Sequence, residues 1–141
     1  MSLSPDVFRA ARPEDAEAIL GFWRRATEAP SSTDDLEGIL TLLARDPDSL
    51  LLAEEDGRIV GTVVAAFDGW RGRIYRLAVE PAARGRGLGR ALVAAAERRL
   101  RDLGARRIDA LVMAEHDGAV AFWEAIGWEH DDRVLRYLTE R

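Results

Sequence analysis

Arginines and glycines crowd one short stretch of the chain, and their spacing suits the binding of phosphate. Residues 73–103 run through Arg84-Gly85-Arg86-Gly87-Leu88-Gly89-Arg90 into a series of Leu88, Leu92, Ala96, Leu100 and Leu103 at helical spacing. Residues 74–79 read as a buried strand that Pro81 stops, so the pattern predicts strand, glycine loop, helix. At such a junction the N–H groups of a helix's first turn lack intrahelical partners and converge on one spot, backed by the positive end of the macrodipole. Gly85, Gly87 and Gly89 let ligand oxygens approach the main chain without a Cβ in the way. Arg84, Arg86 and Arg90 can add charge-assisted hydrogen bonds. The expected ligand is a polyphosphate; a tight turn with solvated arginines is the plainer alternative.

The loop narrows the choice of polyphosphate. A Walker loop needs Gly-Lys-Ser/Thr, and all 20 basic residues of this chain are arginine. Gly85-Arg86-Gly87-Leu88-Gly89 is not Gly-x-Gly-x-x-Gly, and no acidic residue ends a second strand about twenty residues further on, which argues against a dinucleotide fold. What remains is Arg-x-x-Gly-x-Gly, from Arg84 to Gly89, directly after Leu77-Ala78-Val79-Glu80-Pro81. This resembles the acetyl-coenzyme A motif of the GNAT superfamily of N-acetyltransferases.

The rest of the chain must position that loop. With 141 residues, 48% of them hydrophobic, a single domain over residues 1–141 is expected. There is no cysteine, which rules out disulfides, thiolate metal sites and a cysteine acyl-enzyme, and with two histidines no metal site is expected. Neither a signal-like N-terminus nor a long apolar run is evident, so a soluble, cytoplasmic protein is expected. Residues 1–70 hold 6 arginines against 14 acids, and residues 71–141 hold 14 against 11. The acidic half could attract a cationic amine, although acids scattered on exposed helix faces explain it as well. No basic face interleaved with aromatics supports nucleic-acid binding.

Periodicity and breakers predict a strand at 7–10, a helix opened by Pro13 with Ala16, Ile19, Leu20 and Trp23 inward, and a breaker-rich loop at 29–33. A second helix carries Leu36, Ile39, Leu40 and Leu43, capped by Thr33 with Glu37 or by Ser32 with Asp35. Residues 50–54 and 59–67 form a hairpin through Asp56-Gly57. Beyond the long helix, strands are expected at 106–112 and 134–138, with a short helix at 119–126 closed by Gly127. The order is α/β with a mixed sheet. It is similar to the GNAT fold along nearly the whole chain, which implies a mainly antiparallel sheet, helices on both faces and a splay between the fourth and fifth strands.

The resemblance also implies roles. Main-chain groups of Leu77, Ala78 and Val79 would pair with the pantetheine arm and thioester carbonyl, as unpaired groups of a splayed strand can. The family's second motif, Asn-x-x-Ala-x-x-x-Tyr-x-x-x-Gly-Phe, is met here by His116, Ala119, Trp123, Gly127 and Trp128. His116 would contact the cofactor in place of asparagine. Trp123 replaces the tyrosine that often protonates the leaving thiolate, and an indole cannot act as that acid. A thiolate whose thiol pKa is about 8.5 already leaves fairly well. Tyr75, Tyr137 and His116 are alternative acids. Glu115, Glu80, Asp109 and Asp68 are candidate bases, with Glu115 favoured.

These residues point to an acetyl-coenzyme A-dependent N-acetyltransferase acting by direct attack of a primary amine. The alternatives are a non-catalytic acyl-coenzyme A-binding module and a nucleotide-binding interaction domain. Expected partners are a small-molecule amine or a protein N-terminus as acceptor, with a homodimer allowed and neither nucleic acid nor membrane.

Overall fold

The computed structural model describes residues 8–27, 31–114 and 117–140. Two compact units divide between Leu111 and Val112. In the first, the element order is β1 (Phe8–Ala10), α1 (Ala16–Ala26), α2 (Leu36–Arg45), β2 (Leu50–Glu55), β3 (Arg58–Phe67), β4 (Gly72–Val79), α3 (Leu88–Asp102) and β5 (Ile108–Ala110). Among the described residues these strands form one sheet in the order β1-β2-β3-β4-β5. The first three pairings are antiparallel and β4 with β5 is parallel.

Period-two alternation along β3 separates the two faces of the sheet. Thr62 turns toward α1, where its hydroxyl meets the Trp23 indole, while Gly61 turns toward Leu88 and Leu92 of α3. On the first face Ile19, Phe22 and Trp23 of α1 and Ile39 and Leu43 of α2 pack with Leu50, Leu52, Val64 and Ala78 in one buried cluster. On the other, Leu88, Leu92, Val93, Ala96 and Leu100 of α3 are buried. The expected mixed sheet with helices on both faces is therefore present.

Local chemistry explains the ends of the elements. Asp56 and Gly57 adopt φ 52° and 76°, the left-handed pair that a two-residue hairpin turn requires. Pro13–Asp15 forms a 3-10 turn leading into α1, and Thr27 caps its end.

Several expectations are corrected. The α2 cap is Asp35, whose carboxylate accepts the Gly38 N–H at 2.7 Å. The Ser31 and Thr33 hydroxyls instead bond each other at 3.1 Å. Leu36 and Leu40 are exposed, since the buried stripe of α2 runs through Ile39 and Leu43. Leu103 lies beyond α3 and is also exposed, because the helix stops one residue earlier. The fourth strand is not a uniformly buried run: it starts at Gly72 and alternates in burial over its first four residues.

The fifth strand covers three residues rather than the seven expected at 106–112. In the second unit, α4 (Asp117–Ala125) matches the expected short helix, and Gly127 past its end takes φ 92°. Residues 134–138 form no strand. Val134, Leu135, Tyr137 and Leu138 are 64–90% exposed, and an alternating apolar sequence is not a strand until a ladder partner and a buried face are supplied. Of the expected elements, Val7, Ala29 and Pro30 lie outside the described residues.

Candidate functional site

The glycine loop sits where β4 hands over to α3. A 3-10 turn, Pro81–Ala83, redirects the chain, and Gly85 and Gly87 follow with φ 84° and 79°. Both are left-handed positions that a side chain would strain, and the space that a Cβ would occupy is open at each. Gly87 caps α3, and Ala91 donates back to the Gly87 carbonyl at 3.0 Å. The N–H groups of Leu88, Gly89 and Arg90 precede that bond, so they face outward at the positive end of a 15-residue helix. Leu88, 5% exposed, anchors this turn on the sheet.

The three loop arginines differ in their engagements. Arg84 ties the loop to the scaffold, donating from Nε to the Val79 carbonyl at 3.2 Å and from Nη2 to the Ala26 carbonyl at 3.3 Å. Arg86 forms a two-pronged pair with Glu55, at 2.8 and 3.1 Å, in which both side chains are about half exposed. Such exposed pairs contribute about 0–1 kcal/mol, so an arriving phosphate could take the guanidinium over. Arg90 is exposed on the first turn of α3.

β4 carries a bulge beside this loop. Its register with β3 pairs Val64 with Tyr75 and Thr62 with Ala78, so Arg76 and Leu77 stand together opposite Val63. Arg76 takes φ 50°, a left-handed conformation that costs a non-glycine residue about 1–2 kcal/mol. On its other side β4 pairs with β5 only from Gly72 to Ile74, followed by a long bond from the Leu111 N–H to the Ile74 carbonyl at 3.4 Å. From Tyr75 to Val79 that edge has no ladder partner among the described residues. Leu77 and Val79 are half-buried and Ala78 is buried.

The candidate acids and bases are dispersed. Asp109 is held by Arg73 at 2.7 and 3.1 Å, and Asp109 and then Tyr75 push the Arg73 guanidinium pKa upward. Tyr75 is about one-third exposed on β4. Asp68 accepts the Arg71 and Trp70 N–H groups, and these two bonds hold its carboxyl below the usual range, which weakens it as a base. Glu80 is paired with Arg25 at 3.2 Å and Arg58 at 3.9 Å. Glu115 and His116 lie outside the described residues. In the second unit Trp123 is 9% exposed, edge-on to Phe122 and Trp128 with ring centroids 5.6 and 4.7 Å away. Tyr137 is fully solvated at 90%.

Residues 14–128 match the model of the acetyltransferase (GNAT) family. The chain belongs to this family. An acetyltransferase from Sodalis glossinidius (strain morsitans) is 34% identical over 127 residues, covering 90% of this chain and 89% of that one. The fold is similar to the PaiA N-acetyltransferase of Thermoplasma acidophilum in complex with coenzyme A, with TM-score 0.78, 18% identity and coverage of 94% and 92%. It is also similar to an aminoglycoside 6'-N-acetyltransferase from Acinetobacter haemolyticus, with TM-score 0.75, 17% identity and coverage of 95% and 98%. As a GNAT member the chain is an acetyltransferase with acetyl-coenzyme A as its cosubstrate.

Residues absent from the sequence-based list emerge at the bulge. Thr62, Arg76, Trp23 and Asp34 are linked there by hydrogen bonds and an ion pair. A lone hydroxyl, Thr62, within the apolar strand was the one signal that could have pointed to them. Among the described residues no helix is long and apolar enough to cross a membrane.

Proposed function

We propose that this acetyltransferase moves the acetyl group from acetyl-coenzyme A directly to the nitrogen of a primary amine. The observation that carries the reading is the adjacency of an outward-facing helix N-terminus, opened by Gly85 and Gly87, to a strand edge that has no ladder partner from Tyr75 to Val79 among the described residues. N–H groups of Gly85 to Arg90 receive the pyrophosphate, with Arg86 and Arg90 adding charge and Arg84 holding the loop to β4. Leu77, Ala78 and Val79 offer main-chain groups to the amide-rich arm and to the thioester oxygen, where negative charge develops.

In the transfer the amine nitrogen bonds to the thioester carbon as the carbon–sulfur bond breaks; the amine loses a proton and the sulfur leaves as thiolate or thiol. Glu115, directly or through water, takes the amine proton, and Tyr75 is the acid on β4. His116 contacts the cofactor, and Trp123 contributes packing in place of an acid. Positioning and oxyanion stabilisation supply most of the acceleration. The amine acceptor is supported by the relatives named as N-acetyltransferases, one of them of aminoglycosides. A small amine or a protein N-terminus would satisfy this chemistry.

Release of free thiol from acetyl-coenzyme A across a panel of amino acids, polyamines, aminoglycosides and N-terminal peptides tests the reading. Amine-dependent release above hydrolysis is expected. Binding of acetyl-coenzyme A with no amine-dependent release would leave an acyl-coenzyme A binder and sink amine acetylation.

A further inference from the structure

The bulge in β4 is fastened by side chains that come from distant parts of the chain. Trp23 Nε1 donates to Thr62 Oγ1 at 2.9 Å, and Thr62 Oγ1 lies 2.9 Å from the Arg76 carbonyl. An indole N–H can only donate and a carbonyl can only accept, so the hydroxyl proton must point at Arg76. Thr62 is fully buried, which fixes that direction. The Arg76 guanidinium in turn lies 2.6 Å from the Asp34 carboxylate and 5.7 Å over the Trp23 ring. The Asp34 and Arg76 side chains are 9% and 22% exposed, so water screens this pair far less than the Arg86–Glu55 pair. Asp34 also accepts the Ser31 N–H at 3.0 Å, which ties the pair to the segment leading into α2.

A glycine at position 76 would adopt φ 50° without strain, and with no side chain it would need no partner. Arginine instead carries a backbone cost and places a charge among protein groups, features that persist only where the surroundings over-determine them. We propose that the Asp34–Arg76 pair, with Thr62 and Trp23, is a positioning device for acetyl transfer. It holds the bulge so that main-chain groups from Leu77 onward meet the thioester carbonyl, and it makes the segment before α2 a lever on that geometry. This rests on the binding mode given under Proposed function.

The test compares acetyl-coenzyme A with coenzyme A by titration calorimetry, because the two share every contact except those to the acetyl group. Wild type should bind acetyl-coenzyme A several-fold more tightly, on the order of 2- to 10-fold for one added hydrogen bond. Asp34→Asn and Arg76→Gly should each bring that ratio close to one while coenzyme A affinity changes little, and Arg76→Lys, which keeps a cation, should recover part of it. Melting curves confirm that each variant is folded, and Arg76→Gly keeps a residue suited to the left-handed position. Variants that weaken both ligands equally, or leave the ratio intact, overturn the positioning role. A wild-type ratio of one overturns it too, while leaving the coenzyme A site standing. Wild type that binds neither ligand defeats the binding mode itself and the inference with it.

Discussion

A Cβ placed on Gly61 would lie 2.8 Å from Leu92 Cδ1, closer than real side chains approach. β3 and α3 therefore touch where only a hydrogen fits, and the helix that presents the glycine loop is seated by that contact. Gly61→Ala should destabilise the protein by about 1–3 kcal/mol through overpacking. Gly21, exposed in α1 with open space around its Cβ position, is the opposite case. Gly21→Ala should stabilise by about 0.5–1 kcal/mol. Urea melts of the two variants check both signs, and a neutral Gly61→Ala would show that the Leu92 side chain gives way at this contact.

Trp123 tests whether the departure from the family's tyrosine matters. Packed against Phe122 and Trp128, it should behave as a core residue. Trp123→Ala should cost about 3–5 kcal/mol, and Trp123→Phe much less. If solvent or a neighbour protonates the thiolate, Trp123→Tyr will change the rate of amine-dependent thiol release little at a pH below the thiol pKa. A gain of orders of magnitude would show that the missing acid limits the natural enzyme.

The parts of the fold that local chemistry decides were legible in the sequence. Asp56-Gly57 announces its own turn, and α3 is written in its apolar spacing. The caps before α2 were harder because Ser31, Ser32, Thr33 and Asp35 compete within five residues, and the winner depends on which backbone angle the preceding loop permits. The resemblance to the family implies a bulge in the fourth strand, but its place was hidden for a stronger reason. Its left-handed position carries arginine, where glycine or asparagine would have signalled it, and the partners that hold it, Asp34 and Thr62, lie far away in the chain. Of the candidate site, the glycine loop between β4 and α3 was readable because one short segment contains it. Acid and base assignments were not, since they depend on which carboxylates are already engaged, as Asp109, Asp68 and Glu80 are.

Acid sensitivity should be traceable to Asp15. The Arg9 guanidinium, bonded at 2.8 and 2.9 Å, holds the Asp15 carboxyl below the usual range against the opposing effect of burial, and the Arg12 N–H assists. A folded-state pKa depressed below the unfolded value of about 3.9 contributes stability above that pH and loses it as pH falls through the lower folded value. Asp15→Asn should therefore be less stable than wild type at pH 7, with the gap closing as pH drops below about 4. Thermal melts at pH 7 and pH 3 measure this; a gap that does not narrow would remove the Arg9–Asp15 pair as its source.

The most direct test of the cofactor site is calorimetric titration of acetyl-coenzyme A into wild type, Arg84→Ala and Gly87→Glu, each first shown to be folded. At position 87 a glutamate adds both left-handed strain and a negative charge at the spot where the α3 N-terminus faces outward. Wild type should bind, Arg84→Ala should bind more weakly, and Gly87→Glu should lose at least tenfold in affinity. Undiminished binding by both folded variants would contradict a pyrophosphate seated on the residues from Gly85 to Arg90.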